Sequence, residues 1–386
     1  YVLGQKAKKT LLTMNIIWLS EIKWNYLKTR KQQIISRFPK ESFVFFVEPI
    51  SKKISNNYFP KKYSNIKAVT IPQIRSVNSK LLSHILSYIF IRKFFNVITA
   101  LWFNIFFKKI INNTNCLITS NVYWSSIIRT FKNKYPELSI VYDCNDNPLA
   151  FPGTPDYKKE YFLETLLLVN KIIIPHLSYK NFIPIEYHSK IEIITNGVDY
   201  ELFQTIDKPI KKLKKVKKPI IMYIGAISEW FDFELIEYLI NNTPYNYVLI
   251  GPVSNNSKKR LDQLNSIQNR MFYLNAIKHE DIPSYLSKAS VCIVPFIKDE
   301  LTKSVLPNKL FEYSAAGKPS VMTNFNSYLN EFSDFVTITS NKDKFANELK
   351  TQIENPRSET VMKDFAKTFD WKILSLQFYD YIREIT

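Results

Sequence analysis

Residues 306–319 have the sequence LPNKLFEYSAAGKP and lie between two short apolar runs, at 291–295 and 320–323. Both runs have the length and composition of buried strands. Pro307 suits the first turn of a helix and Gly317 suits its end, with apolar residues on one stripe between them. The stretch therefore predicts a strand, a helix and a strand of an α/β fold.

The start of this predicted helix offers a site for an anion. The first N–H groups of a helix have no intrahelical partner and carry partial positive charge, and Lys309 lies beside them. Glu312 follows about one turn later, where its carboxylate can accept hydrogen bonds from ligand hydroxyls. A nucleotide offers both phosphates and hydroxyls, so the segment predicts a nucleotide site. The alternative is a surface helix with an ordinary lysine and glutamate.

The segment from Pro307 to Pro319 resembles the donor-binding segment of glycosyltransferases with the GT-B fold, in which two Rossmann-like domains face each other across a cleft. In that family the glutamate of this segment binds the ribose of a nucleotide-sugar, a role that the resemblance gives to Glu312. Many members carry a second glutamate eight positions earlier, facing the sugar, where this chain has Ser304. The resemblance implies a UDP- or GDP-linked sugar as donor, with no cofactor and no metal.

A second donor-side element is the apolar strand that ends at Gly225 and leads into a helix from about Asp232. A glycine turn between a strand and a helix is typical of phosphate or sugar sites. The familiar branch of the family has an arginine just after this glycine and a lysine several residues later, whereas this chain has Ala226 and Asp232. We therefore expect Lys303 or Lys309 to contact the diphosphate. The predicted donor-binding residues are Gly225, Lys303, Ser304, Pro307, Asn308, Lys309 and Glu312.

The predicted catalytic residues follow a strand in the N-terminal half, where residues 140–143 run into the sequence CNDNP. Ligands of open α/β sheets bind at such carboxyl ends, and a carboxylate exposed there can act as a general base. The run resembles Tyr-Asp-Cys-x-Asp-Asp in a bacterial cell-surface polysaccharide branch that includes teichuronic acid and xanthan-type glucuronosyltransferases, in which an aspartate is the proposed base. We place that role on Asp146 first and on Asp143 second. The alternative is that these residues cap a turn.

Two further patterns resemble the same enzymes. Asn196 and Gly197 form a turn signal after a later strand, and the run Asn-Gly-Val-Asp followed by Leu-Phe recurs in GT-B enzymes at the inter-domain cleft. Near the start of the chain, Trp24 and an Arg-x-Gln-Gln run at 30–33 resemble the bacterial branch. A capped surface helix is the alternative for the second pattern.

The length of 386 residues exceeds what one hydrophobic core usually holds, so two domains are expected. We place an acceptor-binding domain at 14–205 and a donor-binding domain at 206–368. The resembled fold implies that a terminal helix at 369–386 returns to the first domain. Residues 1–13 contain lysines but no apolar signal core, and they carry no fold prediction.

Charge and cysteine usage narrow the partners and the compartment. A net charge of +19, from 53 basic and 34 acidic residues, favours nucleic acid, an anionic membrane face or anionic substrates. No helix-turn-helix, RNA-recognition or zinc pattern supports nucleic acid. The three cysteines lie in or beside apolar runs, without metal-ligand spacing, which indicates a reduced, cytoplasmic protein.

Two strongly apolar segments, 81–91 and 94–107, are separated by Arg92 and Lys93 and followed by two lysines. Neither reaches the roughly 18 to 20 apolar residues that a membrane span needs. One interpretation is a helix at the interface of an anionic leaflet, which predicts a peripheral protein on the inner face of the plasma membrane. The other is a core helix of the N-terminal domain. The aromatic residues expected at the interface are Trp102, Phe103, Phe106 and Phe107.

Together these features predict a glycosyltransferase that moves a sugar from a nucleoside diphosphate to an acceptor hydroxyl, with a lipid-linked saccharide of cell-envelope polysaccharide assembly as the favoured acceptor. Three alternatives stay open. They are another GT-B activity such as an epimerase or a phosphorylase, a nucleic-acid-binding protein, and a catalytically silent sugar-binding relative. The last is motivated by Ser304, Ala226 and Asp232. UDP and GDP, and inversion and retention, all stay open at this stage.

Overall fold

The computed structural model describes residues 13–26, 28–51, 54–73, 80–108, 110–205, 209–267 and 269–386. It confirms the predicted α/β class, because each half of the chain is built on a mainly parallel sheet. The prefix at 1–13 lies, apart from Thr13, outside the described residues, as do residues 206–208 at the predicted domain boundary.

The strands of the N-terminal domain are β1 (Asn15–Leu19), β2 (Phe43–Pro49), β3 (Lys61–Tyr63), β4 (Ile66–Ile71), β5 (Cys116–Thr119), β6 (Ser139–Asp143), β7 (Lys171–Ile174) and β8 (Ile191–Ile193). They form one sheet in the order β3-β4-β2-β1-β5-β6-β7-β8, in which only β3 and β4 are antiparallel neighbours. The helices are α1 (Arg30–Ile35), α2 (Lys80–Ser87), α3 (Ile89–Phe107), α4 (Ser125–Lys134) and α5 (Lys158–Leu168). Short 3-10 helices lie at Ile111–Asn113, Val122–Trp124, Leu177–Asn181 and Ile185–Lys190.

The C-terminal domain follows α6 (Tyr200–Gln204) and contains β9 (Ile220–Ile224), β10 (Asn246–Ile250), β11 (Met271–Leu274), β12 (Val291–Val294), β13 (Ser320–Thr323) and β14 (Thr337–Thr339). Its sheet is parallel throughout, in the order β11-β10-β9-β12-β13-β14. Its helices are α7 (Phe233–Asn242), α8 (Asn255–Ile267), α9 (Ile282–Leu286), α10 (Asn308–Ala315), α11 (Lys342–Glu354) and α12 (Glu359–Thr368), and the terminal helix α13 (Trp371–Glu384) follows them. Its 3-10 helices are Lys211–Leu213, His279–Asp281, Thr302–Ser304 and Ser327–Phe332.

Both sheets have the strand order of a doubly wound Rossmann fold. In the C-terminal domain the chain direction across the sheet reverses between β9 and β12, and in the N-terminal domain it reverses between β1 and β5. Ligands of such sheets bind outside the carboxyl ends of the strands at these switch points. The two switch points face each other across a cleft, and this cleft contains the candidate functional site.

Burial on both faces explains why the strands are continuous apolar runs. In β1, Ile17 and Leu19 pack into a cluster with α3, α4 and α5, while Ile16 and Trp18 pack into a second cluster on the other face. The second cluster contains residues of α1 and of the terminal helix α13. The last helix of the chain therefore completes the core of the first domain.

Two close contacts hold the crossing point of the domains. The Val198 N–H donates to the Phe369 carbonyl at 3.0 Å, and the Trp371 N–H donates to the Val198 carbonyl at 2.9 Å. A Cβ on Gly197 would lie 2.2 Å from the Phe369 carbonyl oxygen. Only glycine fits this approach, so the turn at 196–197 is required where the chain returns to the first domain.

The apolar segments at 81–107 form two helices whose break lies at Tyr88 rather than at Arg92 and Lys93 as the sequence suggested. Arg92 is tolerated inside α3 because its guanidinium donates to the carbonyls of Leu86 and Ser87 and pairs with Glu160 at 2.7 Å. The side chain thus caps the end of α2 and pins α3 to α5.

A buried ion pair connects α1 to the sheet. The Arg30 Nε donates to Asp143 Oδ1 at 3.1 Å, and both side chains are buried. The remaining guanidinium nitrogens donate to the Ile194 and Thr195 carbonyls and to Asn196 Oδ1. One side chain therefore ties α1, β6 and the turn after β8 together.

We expect Arg30→Met to lower the free energy of unfolding by about 3–5 kcal/mol, because it leaves the Asp143 carboxylate buried without its partner. The measurement is chemical denaturation followed by circular dichroism. The control is Arg129→Met, which removes the exposed ion pair with Glu164 and should cost no more than about 1 kcal/mol. Equal losses in the two variants would contradict this assignment.

Candidate functional site

The cleft between the domains contains a cavity of about 370 Å³. Loops at the carboxyl ends of β1, β6, β7 and β8 form its N-terminal wall, and loops after β9 and β12 with the start of α10 form the opposite wall. The lining residues are Glu21, Ile22, Thr29, Arg30, Lys31, Asn145, Asp146, Phe151, Tyr179, Asn196, Tyr223, Ala226, Trp230, Phe296, Leu301, Thr302, Val305, Leu306, Pro307, Asn308 and Lys309.

The first turn of α10 lies at this cavity. Pro307, Asn308 and Lys309 all line it, so the unpaired N–H groups of the helix start are near the cavity. The Lys309 ammonium lies 3.8 Å from Glu312 Oε2 and 6.0 Å from the ring centre of Tyr223. The predicted anion site thus has its cation beside the helix terminus.

Gly225 makes room for that lysine. A Cβ at this position would lie 2.3 Å from Lys309 Cε and 2.7 Å from the Tyr223 hydroxyl. The neighbouring Gly251 has a φ of +150°, and a Cβ there would lie 1.9 Å from the Gly225 carbonyl oxygen. The ends of β9 and β10 are therefore glycines because the backbone and the lysine stem pass so closely.

Glu312 lies in a small recess beside the main cavity. It shares this recess with Asn308 and Gly197, and Lys28 and His279 also line it. Lys28 of the first domain pairs with Glu280 of the second at 2.9 Å. Contacts between the domains thus close the recess beside α10. This helix carries Glu312, the residue predicted to bind the ribose.

Asn196 lies at the junction of the two walls. Its Oδ1 accepts from Arg30 at 3.2 Å, and its Nδ2 donates to the Leu306 carbonyl at 3.1 Å. Leu306 immediately precedes Pro307, so the turn of the first domain holds the segment that leads into α10. Asn196 lies in the cleft, where its hydrogen bonds join the two domains.

The predicted donor-binding residues Lys303 and Ser304 line neither the cavity nor the recess beside it. The Lys303 ammonium is half exposed and pairs with Glu300. Ser304 is buried, its hydroxyl donates to the Leu301 carbonyl at 3.2 Å, and its own carbonyl accepts from Ser178 at 3.2 Å. The 3-10 turn points these side chains away, so Leu301 and Thr302 line the cavity in their place.

The two candidate bases differ in accessibility. Asp143 is completely buried and bound to Arg30, which makes it a structural residue and removes it as a candidate base. Burial raises the pKa of Asp143, and the neighbouring Arg30 opposes this rise. Asp146, three residues on, lines the cavity and is reached by solvent. Asp146 is therefore the carboxylate that can meet a ligand.

The surroundings of Asp146 make it a weak acid. Asp146 is exposed at the cavity, but the protein around its carboxyl group desolvates the charged form, and this raises its pKa to about 7. The positive charges of Lys31 and Lys158 lower the pKa, whereas Glu21 and Asp143 raise it. A carboxylate with a pKa near neutrality suits a general base.

Glu21 and Lys31 also line the cavity, although no sequence motif pointed to either residue. They form an ion pair in the cavity wall, with Lys31 almost completely buried. Lys31 is the variable position of the Arg-x-Gln-Gln run at 30–33, but only the fold shows that this residue faces the cavity. Gln32 serves instead in a capping box with Thr29 at the start of α1.

Within the described part of the chain, no three His, Cys, Asp or Glu side chains are grouped so that they could hold a metal ion. All three cysteines are buried and unpaired in the interior of the sheets or beside them.

The comparisons with known proteins agree with this geometry. Residues 205–369, which cover the C-terminal domain, match the family model of the glycosyl transferases group 1. A Bacillus subtilis (strain 168) protein, provisionally named as the teichuronic acid biosynthesis glycosyltransferase TuaH, is 26% identical over 208 residues. That match covers 50% of this chain and 50% of the relative.

Solved structures share the fold over nearly the whole chain. Sucrose-phosphate synthase from Thermosynechococcus elongatus has a TM-score of 0.73 at 12% identity, covering 96% of this chain and 99% of that one. Anabaena Alr3699/HepE in complex with UDP has a TM-score of 0.66 at 13% identity, covering 96% and 100%. Candida albicans trehalose-6-phosphate phosphatase N-terminal domain gives 0.71 at 11% identity, covering 98% of each chain.

Two parallel-sheet domains with a cleft between their switch points define a GT-B protein. The chain has that fold, and residues 205–369 within it match the family model of the glycosyl transferases group 1.

We expect the Asp146 carboxyl group to titrate with a midpoint near pH 7. The ionised carboxylate is solvated less well beside the protein than in bulk water, so the group keeps its proton to a higher pH than a fully solvated aspartate. The measurement is the ¹³C chemical shift of the Cγ atom in protein labelled at aspartate, followed against pH. The resonance is assigned by its disappearance in Asp146→Asn. A midpoint near 4 would contradict the enclosed environment.

Proposed function

We propose that this protein is a glycosyltransferase that moves a sugar from a nucleoside diphosphate to a hydroxyl group of a saccharide acceptor. The observation that carries the proposal is the pairing across one cavity of the α10 terminus with Lys309 and of the accessible carboxylate Asp146. One wall suits a diphosphate, and the other suits a nucleophile. The proposal requires no cofactor besides the donor.

The donor side would act by charge stabilisation. The diphosphate binds at the N–H groups of α10 and at Lys309, and Glu312 accepts hydrogen bonds from the ribose hydroxyls. When the bond between the anomeric carbon and the diphosphate oxygen breaks, negative charge develops on that oxygen, and the fixed N–H groups and the ammonium stabilise it. Trp230, Phe296 and Leu301 form an apolar wall for the sugar.

The acceptor side would supply the base. In an inverting reaction the acceptor hydroxyl attacks the anomeric carbon from the face opposite the diphosphate, and its proton passes to the Asp146 carboxylate. Asn145, Thr29 and Glu21 offer polar groups to the remaining acceptor hydroxyls. We propose inversion, since the enclosed carboxylate opposite the diphosphate site is placed for this single step.

The proposal also includes a chemical class for the acceptor. We take it to be a lipid-linked saccharide of the cell envelope, at the cytoplasmic face of the plasma membrane. The name of the Bacillus subtilis relative refers to teichuronic acid biosynthesis, and the net charge of +19 suits an anionic surface. The exposed apolar face of α3 supports the same placement.

Helix α3 has one buried and one exposed apolar face. Phe103 and Phe107 are completely buried in the domain core, so they are not the interfacial residues that the sequence suggested. The exposed stripe runs along the opposite face at helical spacing. It consists of Phe90, Phe94, Val97, Leu101 and Ile105.

This stripe suits insertion into one leaflet. The helix has the length and apolar composition of a membrane span, but its other face is packed on the N-terminal domain. Lys93 and Lys108 are exposed beside the stripe and would meet anionic headgroups. We propose that α3 lies in the plane of an anionic membrane, with the stripe buried among the acyl chains.

We expect calorimetric titration to show binding of UDP or GDP that Lys309→Met and Glu312→Ala each weaken by about 10- to 100-fold. A hydrogen bond to a charged group contributes about 1.5–3 kcal/mol, which corresponds to losses of this size. The matched controls are Lys303→Met and Glu300→Ala, which remove the similar but outward-facing pair. These should change the affinity by less than about twofold.

Absence of binding of either nucleotide would overturn the proposed donor site. Binding without sugar transfer to any saccharide acceptor would support the silent sugar-binding alternative. Salt-sensitive duplex DNA binding without nucleotide affinity would instead support the nucleic-acid alternative.

We expect the protein to float with vesicles that contain phosphatidylglycerol and to bind neutral vesicles less. The triple variant Phe94→Ser, Leu101→Ser and Ile105→Ser should reduce vesicle binding about tenfold or more, because three large apolar side chains no longer enter the leaflet. The matched control carries Ile185→Ser, Ile373→Ser and Leu376→Ser, at exposed apolar positions elsewhere on the protein. Equal binding of the two triple variants would contradict the membrane face.

A further inference from the structure

We propose that the Glu21–Lys31 ion pair is a positioning device for Asp146, which places opposite charges beside the base and thereby sets the pH range in which the enzyme works. The proposal deepens the proposed function and rests on it, because it takes Asp146 as the base. It assigns a role to two residues of the cavity wall that bind neither the diphosphate nor the ribose.

Lys31 is fixed where it can act on the site. Its side chain is 3% exposed, it lines the cavity, and its ammonium binds the Glu21 carboxylate. The helix that carries it cannot rotate freely, because Arg30 is bonded to the sheet on the adjacent position. On the other side, the Gln32 amide donates to the Lys23 carbonyl at 3.2 Å.

Glu21 is held just as firmly from the strand side. Its second oxygen accepts a hydrogen bond from the Ser120 hydroxyl at 2.8 Å. Ser120 in turn accepts from the Trp18 indole N–H at 3.3 Å, in the middle of the sheet. The loop after β1 is closed by the Ser20 hydroxyl, which accepts from the Ile22 N–H at 3.0 Å. The carboxylate therefore stays in the wall beside the cavity.

Other ionisable groups face Asp146 from every neighbouring element, and their effects can be separated. Asp143 of β6 is compensated by Arg30, and Lys158 of α5 lies near the rings of Tyr123 and Phe151 at the edge of the site. The Cys144 thiol donates to the Asp146 carbonyl at 3.6 Å, and burial holds its pKa far above the working range. The ionisable groups that interact with Asp146 are Glu21, Lys31, Tyr142, Asp143, Cys144, Lys158 and Tyr179.

An ion pair beside a base has opposite effects when its two ends are removed separately. The negative charge of Glu21 favours the protonated form of Asp146, and the positive charge of Lys31 favours the ionised form. With both present, the two effects largely offset each other. Removing the Glu21 charge leaves the effect of Lys31 on Asp146, and removing the Lys31 charge leaves the effect of Glu21.

The test measures the titration of Asp146 in Glu21→Gln and in Lys31→Met. We expect the midpoint of the Asp146 ¹³Cγ resonance to move down by about 0.5–1 pH unit in Glu21→Gln and up by a similar amount in Lys31→Met. The acidic limb of kcat/KM for sugar transfer should move by the same amounts and in the same directions. Lys31→Arg keeps the charge and should restore the wild-type midpoint.

The controls are Glu164→Gln and Arg129→Met, which separate the partners of an ion pair on the outer side of the same domain. Both should leave the midpoint within about 0.2 units, because the charges that act on Asp146 are those of Lys31, Glu21, Asp143 and Lys158, and solvent and salt screen the exposed Arg129. If Lys31→Met does not fold, Glu21→Gln alone decides the direction. Shifts of the same sign in both variants, or no shift in Glu21→Gln, would overturn the inference.

A different result would identify a failure of the proposed function. If Asp146→Asn retains sugar transfer, Asp146 is not the base, whatever the ion pair does to its titration. The ¹³C measurement does not depend on activity, so the electrostatic part of the inference is tested in either case.

Discussion

The architecture of the cleft depends on the hydrogen bonds and the ion pair of the Arg30 guanidinium. Its donors are shared among a carboxylate at the end of β6, two carbonyls after β8 and the amide of Asn196. Asn196 then donates to Leu306, next to the start of α10. A planar group with five fixed donors can satisfy so many acceptors at once, which a lysine ammonium could not. The two walls of the site are therefore held in one arrangement by a short chain of buried hydrogen bonds.

The two walls differ in chemistry because different backbone constraints built them. On the C-terminal side, the strand ends come so close that they require glycines, and this leaves space for the stem of Lys309. Two backbone hydrogen bonds fix the loop after β9 to the loop after β12. The Ile297 N–H donates to the Trp230 carbonyl at 2.9 Å, and the Asp232 N–H donates to the Pro295 carbonyl at 2.7 Å. The result is a rigid apolar wall beside a cationic helix terminus. A diphosphate sugar has the matching polarity.

The N-terminal wall is charged and polar instead. Glu21, Lys31 and Asp146 come from three separate elements, and each is held by contacts to the sheet or to α1. The same domain carries the exposed stripe of α3 on its outer surface, and Arg92 ties that helix to α5. The N-terminal wall of the cavity and the proposed membrane face thus belong to the same domain, which is the arrangement that the proposed function requires of an acceptor held in a membrane.

Local sequence determined the strands, the start of α10 and the class of fold. Apolar runs of four to seven residues, a proline and a glycine act over short distances, so their consequences can be recognised without knowing the rest of the chain. The positions of Pro307, Asn308 and Lys309 at the cavity follow from that local pattern. Tertiary structure alone decided which of Asp143 and Asp146 is accessible, since their roles depend on an arginine more than one hundred residues away. It also decided that Lys303 turns outward while Ser304 is buried, that Phe103 and Phe107 belong to the core, and that Glu21 pairs with Lys31 in the wall that also contains Asp146. These outcomes depend on which distant side chains share a buried environment, and the order of residues along the chain does not specify that environment.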